Sequence, residues 1–334
     1  MSEVYPTLTA LFTDIADAIR ETTGDTDLII ADDFPDVIRD RLQVKPYLTF
    51  KSPNSFTLKV NDTTKHWNGT LEYSTNASTW TTWDGATTLS SATKGSNNIL
   101  YLRGTGNTVI TGNRNNYKWI LTGSNIKCIG NIENLLDYAT VEAGNHPTMA
   151  SYCYSLMFLG CTALTQAPEL PATTLAESCY SFMFDGCTAL TQAPALPATT
   201  LAPYCYRSMF YGCTSLTQAP ALPATTLAPY CYRSMFYGCT SLTKAPALPA
   251  TTLADSCYYS MFNGCTSLKL STTKTGEYTV AYRIPSSETG TTATDALTDM
   301  FAYTGGTFTG TPSINTTYYL SNINTVVGVP ISEI

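Results

Sequence analysis

Apolar residues between Cys153 and Leu270 recur with a fixed spacing of 26 residues. The methionines of this pattern are Met157, Met183, Met209, Met235 and Met261. The cysteines keep the same spacing, at Cys153, Cys179, Cys205, Cys231 and Cys257 and again at Cys161, Cys187, Cys213, Cys239 and Cys265. Two copies, 203–228 and 229–254, differ only where one has Gln218 and the other Lys244. A period of this length predicts a repeat array in which each unit buries its apolar face against its neighbours.

Each copy divides into a half with helical spacing and a half with extended character. Placed on a helix at about 100° per residue, copy 203–228 carries Cys205, Tyr206, Met209 and Phe210 on one side and Tyr204, Arg207 and Tyr211 on the other. Gly212 is a helix stop signal, and Pro220 and Pro223 exclude a helix from the second half. One strand, one turn and one short helix per copy predicts a leucine-rich-repeat solenoid over 125–270.

The sequence motif of the repeats resembles that of a known family. MFxGCTxLTxAPxLP is similar to the BspA-like leucine-rich repeats of bacterial and phage surface proteins, and the resemblance covers about 120 of the 334 residues. It implies a leucine-rich-repeat fold. It also implies an adhesin, a surface lipoprotein or a host-contact protein rather than an enzyme.

Residues 1–44 form a separate segment with helical periodicity. The apolar stripe of its first predicted helix is Leu8, Leu11, Phe12, Ile15 and Ile19. A second helix is predicted from Pro35 to Leu42, and two such short helices cannot hold a core alone. The segment also resembles the N-terminal part of phage tail-associated proteins, which implies attachment to other virion proteins or to sister chains in a homo-oligomer. A helical lid on the next domain remains the alternative.

The pattern changes to period two from residue 45 to 124. Phe56, Leu58 and Val60 alternate with polar residues, and turn residues separate several such segments, which predicts an all-β, sandwich-like module. All the tryptophans, Trp67, Trp80, Trp83 and Trp119, lie here, either as core residues or as a platform for a sugar ring. Residues 271–334 predict a divergent repeat, in which Met300 repeats the MFxG phrase, followed by a β-type C-terminal cap.

The eleven cysteines predict buried free thiols rather than disulfides or a metal site. On a helix, cysteines eight positions apart are too distant for a disulfide, and their spacing without histidines matches no zinc motif. The two histidines, His66 and His146, have no nucleophile or carboxylate at a catalytic spacing. We therefore expect no enzyme, no metal and no cofactor. A glycan-degrading enzyme would need a pair of carboxylates, for which the repeats offer few candidates.

The amino-acid composition argues against nucleic-acid binding and membrane insertion. Only 13% of residues are charged and the net charge is −7, which argues against nucleic-acid binding. No apolar run has the length of a membrane span, and the opening residues lack the basic and apolar regions of a signal peptide. These features predict no membrane insertion and a product that leaves the cytoplasm by virion assembly or lysis.

Together these observations predict a virion protein of a phage or prophage tail that binds a host-surface glycan or protein. A bacterial BspA-like adhesin at the cell surface is the alternative. The ligand is expected on the six outward residues that we call the tyrosine–arginine face: Tyr204, Arg207, Tyr211, Tyr230, Arg233 and Tyr237. The rival surface is the predicted strand face, with Thr217, Gln218, Thr243 and Lys244.

Deleting residues 1–44 tests the predicted attachment. If their apolar stripe docks onto sister chains, the deletion lowers the assembled mass in light scattering and leaves the melting transition of the remainder in place. An unchanged mass would favour the lid.

Overall fold

The period-two segments of the first half form strands. The structure, a computed structural model, describes residues 47–62, 64–113 and 117–328. The first strands are β1 (Leu48–Ser52), β2 (Thr57–Val60), β3 (Thr70–Ser74), β4 (Thr81–Thr82), β5 (Leu89–Ser90), β6 (Ala92–Lys94), β7 (Asn97–Thr105), β8 (Trp119–Thr122) and β9 (Ile126–Ile129). The predicted N-terminal helices and the attachment residues Leu8, Leu11, Phe12, Ile15 and Ile19 lie outside the described residues.

Two sheets enclose the first core. The larger has the order β10-β9-β1-β7-β3-β4, with β6 also on β7, and the smaller has the order β5-β2-β8. β10 (Leu164–Gln166) belongs to the first repeat and pairs in parallel with β9. Phe50 in β1 lies 6.5 Å from Trp119 in β8, measured between ring centroids. The larger sheet therefore continues from the period-two region into the repeats.

A single helix, α1 (Asn134–Glu142), lies among the described residues, just before the first copy. It buries Leu135 and Leu136 and packs so closely that a Cβ on Gly104 of β7 would lie 1.7 Å from the Leu135 carbonyl oxygen. Only glycine fits there. No helix in the described part of the chain is long and apolar enough to cross a membrane.

The second half is built from repeats whose backbones bond directly to their neighbours. In copy 203–228, the N–H groups of Tyr206, Ser208 and Phe210 donate to the carbonyls of Cys231, Arg233 and Met235 in the next copy, at 2.8–3.0 Å. The N–H groups between them bond within the copy, as Met209 does to the Tyr206 carbonyl at 3.2 Å. Half of the amides therefore connect copies and half close successive tight turns.

The predicted short helix of each copy is wrong. An α-helix would send every N–H to the carbonyl four residues earlier. Instead, every fourth residue adopts a left-handed backbone conformation, with φ of 59° at Tyr204, 50° at Ser208 and 66° at Gly212. Such residues interrupt a right-handed helix, and the segment 204–212 is a run of turns.

The predicted leucine-rich-repeat solenoid is wrong for the same reason. The structure is nearly all-β, with 27% strand, 3% helix and several small sheets, and it does not show the strand, turn and helix of that fold in each copy. In the extended half, copies touch mainly through single bridges such as Gln192 to Gln218 and Gln218 to Lys244. The prolines of this half remove donors, so a continuous sheet cannot form.

Identical side chains pack in register because the copies are bonded in register. Tyr180, Tyr206 and Tyr232 are buried, and adjacent rings stack with centroids 5.8–5.9 Å apart. A parallel ladder of phenylalanines lies beside them, with centroids 5.6–5.7 Å apart from Phe158 to Phe301. These ladders form the core of the repeats.

The eleven cysteines are buried and free, as predicted. The second cysteine of a copy has a specific role: the Cys213 thiol donates to the Phe184 carbonyl of the preceding copy, with sulfur and oxygen 3.1 Å apart. The corresponding bonds of Cys187, Cys239 and Cys265 measure 3.0–3.1 Å. The thiols thus add one more bond between neighbouring copies.

Both ends of the repeat region are closed by other strands. Ile110 and Trp119 of the first core donate to the carbonyls of Cys153 and Met157 in the first copy. The remaining strands are β11 (Lys244–Pro246) in the fourth copy, β12 (Lys269–Ser271) in the fifth, and then β13 (Tyr278–Arg283), β14 (Gly305–Gly306), β15 (Thr317–Ser321) and β16 (Thr325–Val327). Phe262 donates to the Met300 carbonyl, so the divergent MFxG phrase acts as one further copy.

The two cysteine positions give a matched pair of substitutions. Among the described residues the Cys205 thiol donates to no acceptor, whereas the Cys213 thiol donates to the Phe184 carbonyl. We expect Cys205→Ser to cost about 1–3 kcal/mol of unfolding free energy, because it buries an unpaired hydroxyl, and Cys213→Ser to cost less. Chemical denaturation measures both.

Thiol labelling provides the companion measurement. Burial raises the pKa of the Cys205 thiol to about 12, so native protein at pH 8 should label slowly and unfolded protein completely. Rapid labelling of most thiols in the native state would contradict the buried ladders.

Candidate ligand-binding face

The structure brings the tyrosine–arginine face together on two adjacent copies. Cys205, Tyr206, Met209 and Phe210 are buried, as predicted, whereas Tyr204, Arg207 and Tyr211 reach the surface. Tyr211 is 37% exposed, and Tyr204, Arg207, Tyr230 and Arg233 are half-buried. The turns, rather than a helix, position them, because each turn returns the chain to the same side after four residues.

The tyrosines of this face stack on one another. The rings of Tyr204 and Tyr230 lie 4.6 Å apart between centroids and are inclined by 5°, and Tyr211 and Tyr237 have the same geometry. One face of each ring is therefore covered by its partner. The surface offers ring edges, hydroxyl groups and the outer faces of two ring pairs.

The arginines contact aromatic rings on both sides of the two copies. The guanidinium carbon of Arg233 lies 4.3 Å from the ring centroid of Tyr259, and that of Arg207 lies 5.2 Å from the ring centroid of Phe182. Both also lie 5.7 Å from the tyrosine of their own copy. Such contacts hold a guanidinium in place and leave its N–H groups available to a planar acceptor.

The rest of the face is polar and partly acidic. The position of Tyr211 is occupied in the preceding copy by Asp185, whose pKa is raised to about 6 by burial, while Lys118 opposes that shift. The pKa of Tyr211 is raised as well, first by burial and then by the neighbouring Tyr237 and Asp185. The aromatic surface thus ends at a half-buried carboxyl on one side.

The rival strand face borders a groove. Thr217, Gln218 and Lys244 line it together with alanines and prolines of the second and third copies, and its volume is about 570 Å³. The Lys244 ammonium donates to the Gln218 side-chain oxygen at 3.1 Å, so the one difference between the two closest copies forms a bond between them. Thr243 donates to the Thr217 carbonyl at 3.3 Å.

Of the two interpretations of the tryptophans, core residues and a sugar platform, the structure supports the core for three of the four rings. Trp67, Trp83 and Trp119 are buried and contact one another in the first core. Trp80 is partly exposed, but its ring lies 4.1 Å from the Arg103 guanidinium carbon. Arg103 in turn donates to Glu72 at 2.8 Å, so this cluster satisfies its own charge.

Sequence reasoning missed two histidine–carboxylate pairs that folding creates. His146 lies 2.8 Å from Glu133, measured from Nδ1 to Oε2, and the Glu133 side chain is only 2% exposed. The pair borders a cavity of about 350 Å³ whose other side is formed by residues 172–176 at the end of the first copy. His66 lies 3.1 Å from Asp62 and stacks on Tyr117. The first pair had no sequence signal, because its partners are 13 residues apart.

Clusters of three or more metal-ligating side chains are absent from the described ranges. Comparison with protein-family models, with curated proteins and with solved structures finds no match for the chain.

Asp185 generates a pH-dependent prediction. Its raised pKa means that the folded state binds this proton more tightly than the unfolded state, so stability falls as pH rises from about 4 to about 6 and stays lower above that. Asp185→Asn should raise the unfolding free energy at pH 7.5 by about 1–3 kcal/mol and change it little at pH 4.

The control is Glu177→Gln, which removes an exposed carboxylate from the same copy. Thermal melts of both variants and the parent at the two pH values give the comparison. Equal effects of Asp185→Asn at pH 4 and pH 7.5 would contradict the assignment.

Proposed function

We propose that this is a non-enzymatic binding protein of a phage or prophage tail that contacts a host-surface glycan or protein through the tyrosine–arginine face. The main support for this proposal is that two adjacent copies place four tyrosines and two arginines on one surface. Both guanidiniums lie against aromatic rings. Tyrosine provides contact area at low entropic cost, and arginine provides directed hydrogen bonds.

The chemistry of the surrounding copies supports this choice. The inward residues are the same type in neighbouring copies, as in Met183, Met209 and Met235. The positions of the tyrosine–arginine face differ: Tyr204 and Tyr230 are flanked by the buried serines Ser178 and Ser256 in the copies before and after. The tyrosine–arginine face is therefore a local feature of two copies and is not required by the packing of the repeats.

The placement in a phage tail depends on residues 1–44 and on the resemblance of the repeats to phage and bacterial surface proteins. In this proposal the N-terminal segment attaches the protein to the virion or to sister chains. The strands between 48 and 129 support the first repeat, and the repeats contact the host.

The test replaces side-chain chemistry without removing the ring stacks. Alanine at the tyrosines would lose stacking worth about 0.5–1.5 kcal/mol per ring pair, so a change in stability would confuse the result. Tyr→Phe at 204, 211, 230 and 237, combined with Arg207→Gln and Arg233→Gln, keeps the rings. We expect this variant to retain its melting temperature and to lose binding to a bacterial glycan array and to bacterial cells by tenfold or more, as expected for about 1.4 kcal/mol.

The matched control carries alanine at Thr217, Gln218 and Lys244 on the rival strand face. It should bind like the parent protein. If the control loses binding and the face variant keeps it, the groove is the contact surface and the proposal is wrong.

A further inference from the structure

Arg207 and Arg233 are two positive charges held side by side. The Ser208 N–H donates to the Arg233 carbonyl at 2.8 Å, so the backbones carrying the two arginines are directly bonded. Equivalent positions on bonded chains are about 4.8 Å apart. Burial, followed by the charge of Arg233, lowers the pKa of Arg207. Each guanidinium carbon also lies within 5.2 Å of an aromatic ring centroid from the copy outside the pair, Phe182 for Arg207 and Tyr259 for Arg233, which limits the freedom of both side chains.

The described chain supplies neither arginine with a carboxylate. Among the residues for which structure is given, the ion pairs involve His66, Arg103 and His146, and none involves Arg207 or Arg233. Arg103 shows the alternative arrangement, since it also contacts two aromatic rings but donates to Glu72. The same aromatic contacts thus occur once with an internal counter-charge and twice without one.

The surroundings confine this positive charge to two copies. The equivalent position is Ser181 in the copy before the arginine pair and Tyr259 in the copy after it. Carboxylates occur at the borders, with Asp185 beside Tyr211, and Glu177 and Asp255 before the tyrosine position of their copies. In a chain with a net charge of −7, a small basic window with an acidic border attracts an anionic group and repels it elsewhere.

We propose that the tyrosine–arginine face recognises an anionic glycan, with a carboxylate or phosphate group bound between Arg207 and Arg233. This inference rests on the proposed function and specifies its ligand class. An acceptor between two guanidiniums forms several charge-assisted hydrogen bonds and removes the repulsion between them. The adjacent tyrosine hydroxyls and outer ring faces then contact the sugar.

The experiment compares three probes: an oligosaccharide with hexuronate carboxylates, a glycerol-phosphate polymer and a neutral glucose oligosaccharide. Binding to the full chain is measured by calorimetry at 50 mM and 200 mM salt. We expect at least one anionic probe to bind at least tenfold more tightly than the neutral one, and the carboxylate and phosphate arms identify the source of the charge. Failure of both anionic probes to exceed the neutral one overturns the inference.

Two double variants separate specific from general electrostatics. Replacing both arginines, Arg207→Gln with Arg233→Gln, should reduce the preference for the anionic probe by about tenfold. The control, Lys59→Gln with Lys127→Gln, removes the same net charge from exposed strand positions and should leave that preference unchanged. A third variant, Arg207→Lys with Arg233→Lys, keeps the positive charge. It should show only part of the parent protein's preference for the anionic probe, because lysine lacks the planar guanidinium that bonds an anion through two N–H groups.

Failures of the two proposals differ in outcome. If the arginine variant keeps its anionic preference while the six-residue variant loses binding to bacterial cells, the face binds but the charge inference is wrong. If Lys59→Gln with Lys127→Gln lowers the anionic preference as much as Arg207→Gln with Arg233→Gln does, the preference is non-specific and the inference is also wrong. If no variant of the face changes binding to cells or probes, the proposed function itself fails.

Discussion

The repeats depend on backbone hydrogen bonds that run from each copy to the next. Alternate amides of the turn segments, such as Tyr206 and Phe210, donate to carbonyls in the following copy, and the amides between them close turns within their own copy. Because every amide has a partner, the segment can be buried without a helix or a continuous sheet. This arrangement requires a left-handed backbone conformation at every fourth residue. Glycine adopts it without strain, and Gly212 and its equivalents occupy one of these positions in each copy.

In-register backbones determine where the side chains go. Tyrosines, phenylalanines and cysteines at equivalent positions form parallel ladders, and the second cysteine of each copy donates to a carbonyl of the copy before. The first copy would leave carbonyls unpaired and the last copy would leave N–H groups unpaired. Ile110 and Trp119 donate to the carbonyls of the first copy, and the Met300 carbonyl of the MFxG phrase accepts from the Phe262 N–H at the other end. The strands before the repeats therefore help to stabilise them.

The outward positions are free of these requirements. A copy can carry Tyr204 or Ser178 at the same backbone position, because neither side chain has to fit a ladder in the core. Two adjacent copies can thus concentrate aromatic and basic groups without loss of packing. The contrast between Arg103, which is paired with Glu72, and Arg207, which has no such partner among the described residues, shows where the fold leaves charge available to a ligand.

The sequence by itself determined the repeat length, the buried residues and the outward residues. Cys205, Met209 and Cys213 recur every four positions, and over eight residues a period of four cannot be distinguished from the 3.6 of a helix. The helical wheel consequently identified the buried side correctly and the backbone wrongly. Only the tertiary structure decided between turns and helix, because the choice depends on hydrogen-bond partners that lie in the next copy. The same holds for the pairing of His146 with Glu133, since contacts between distant residues exist only once the chain has folded.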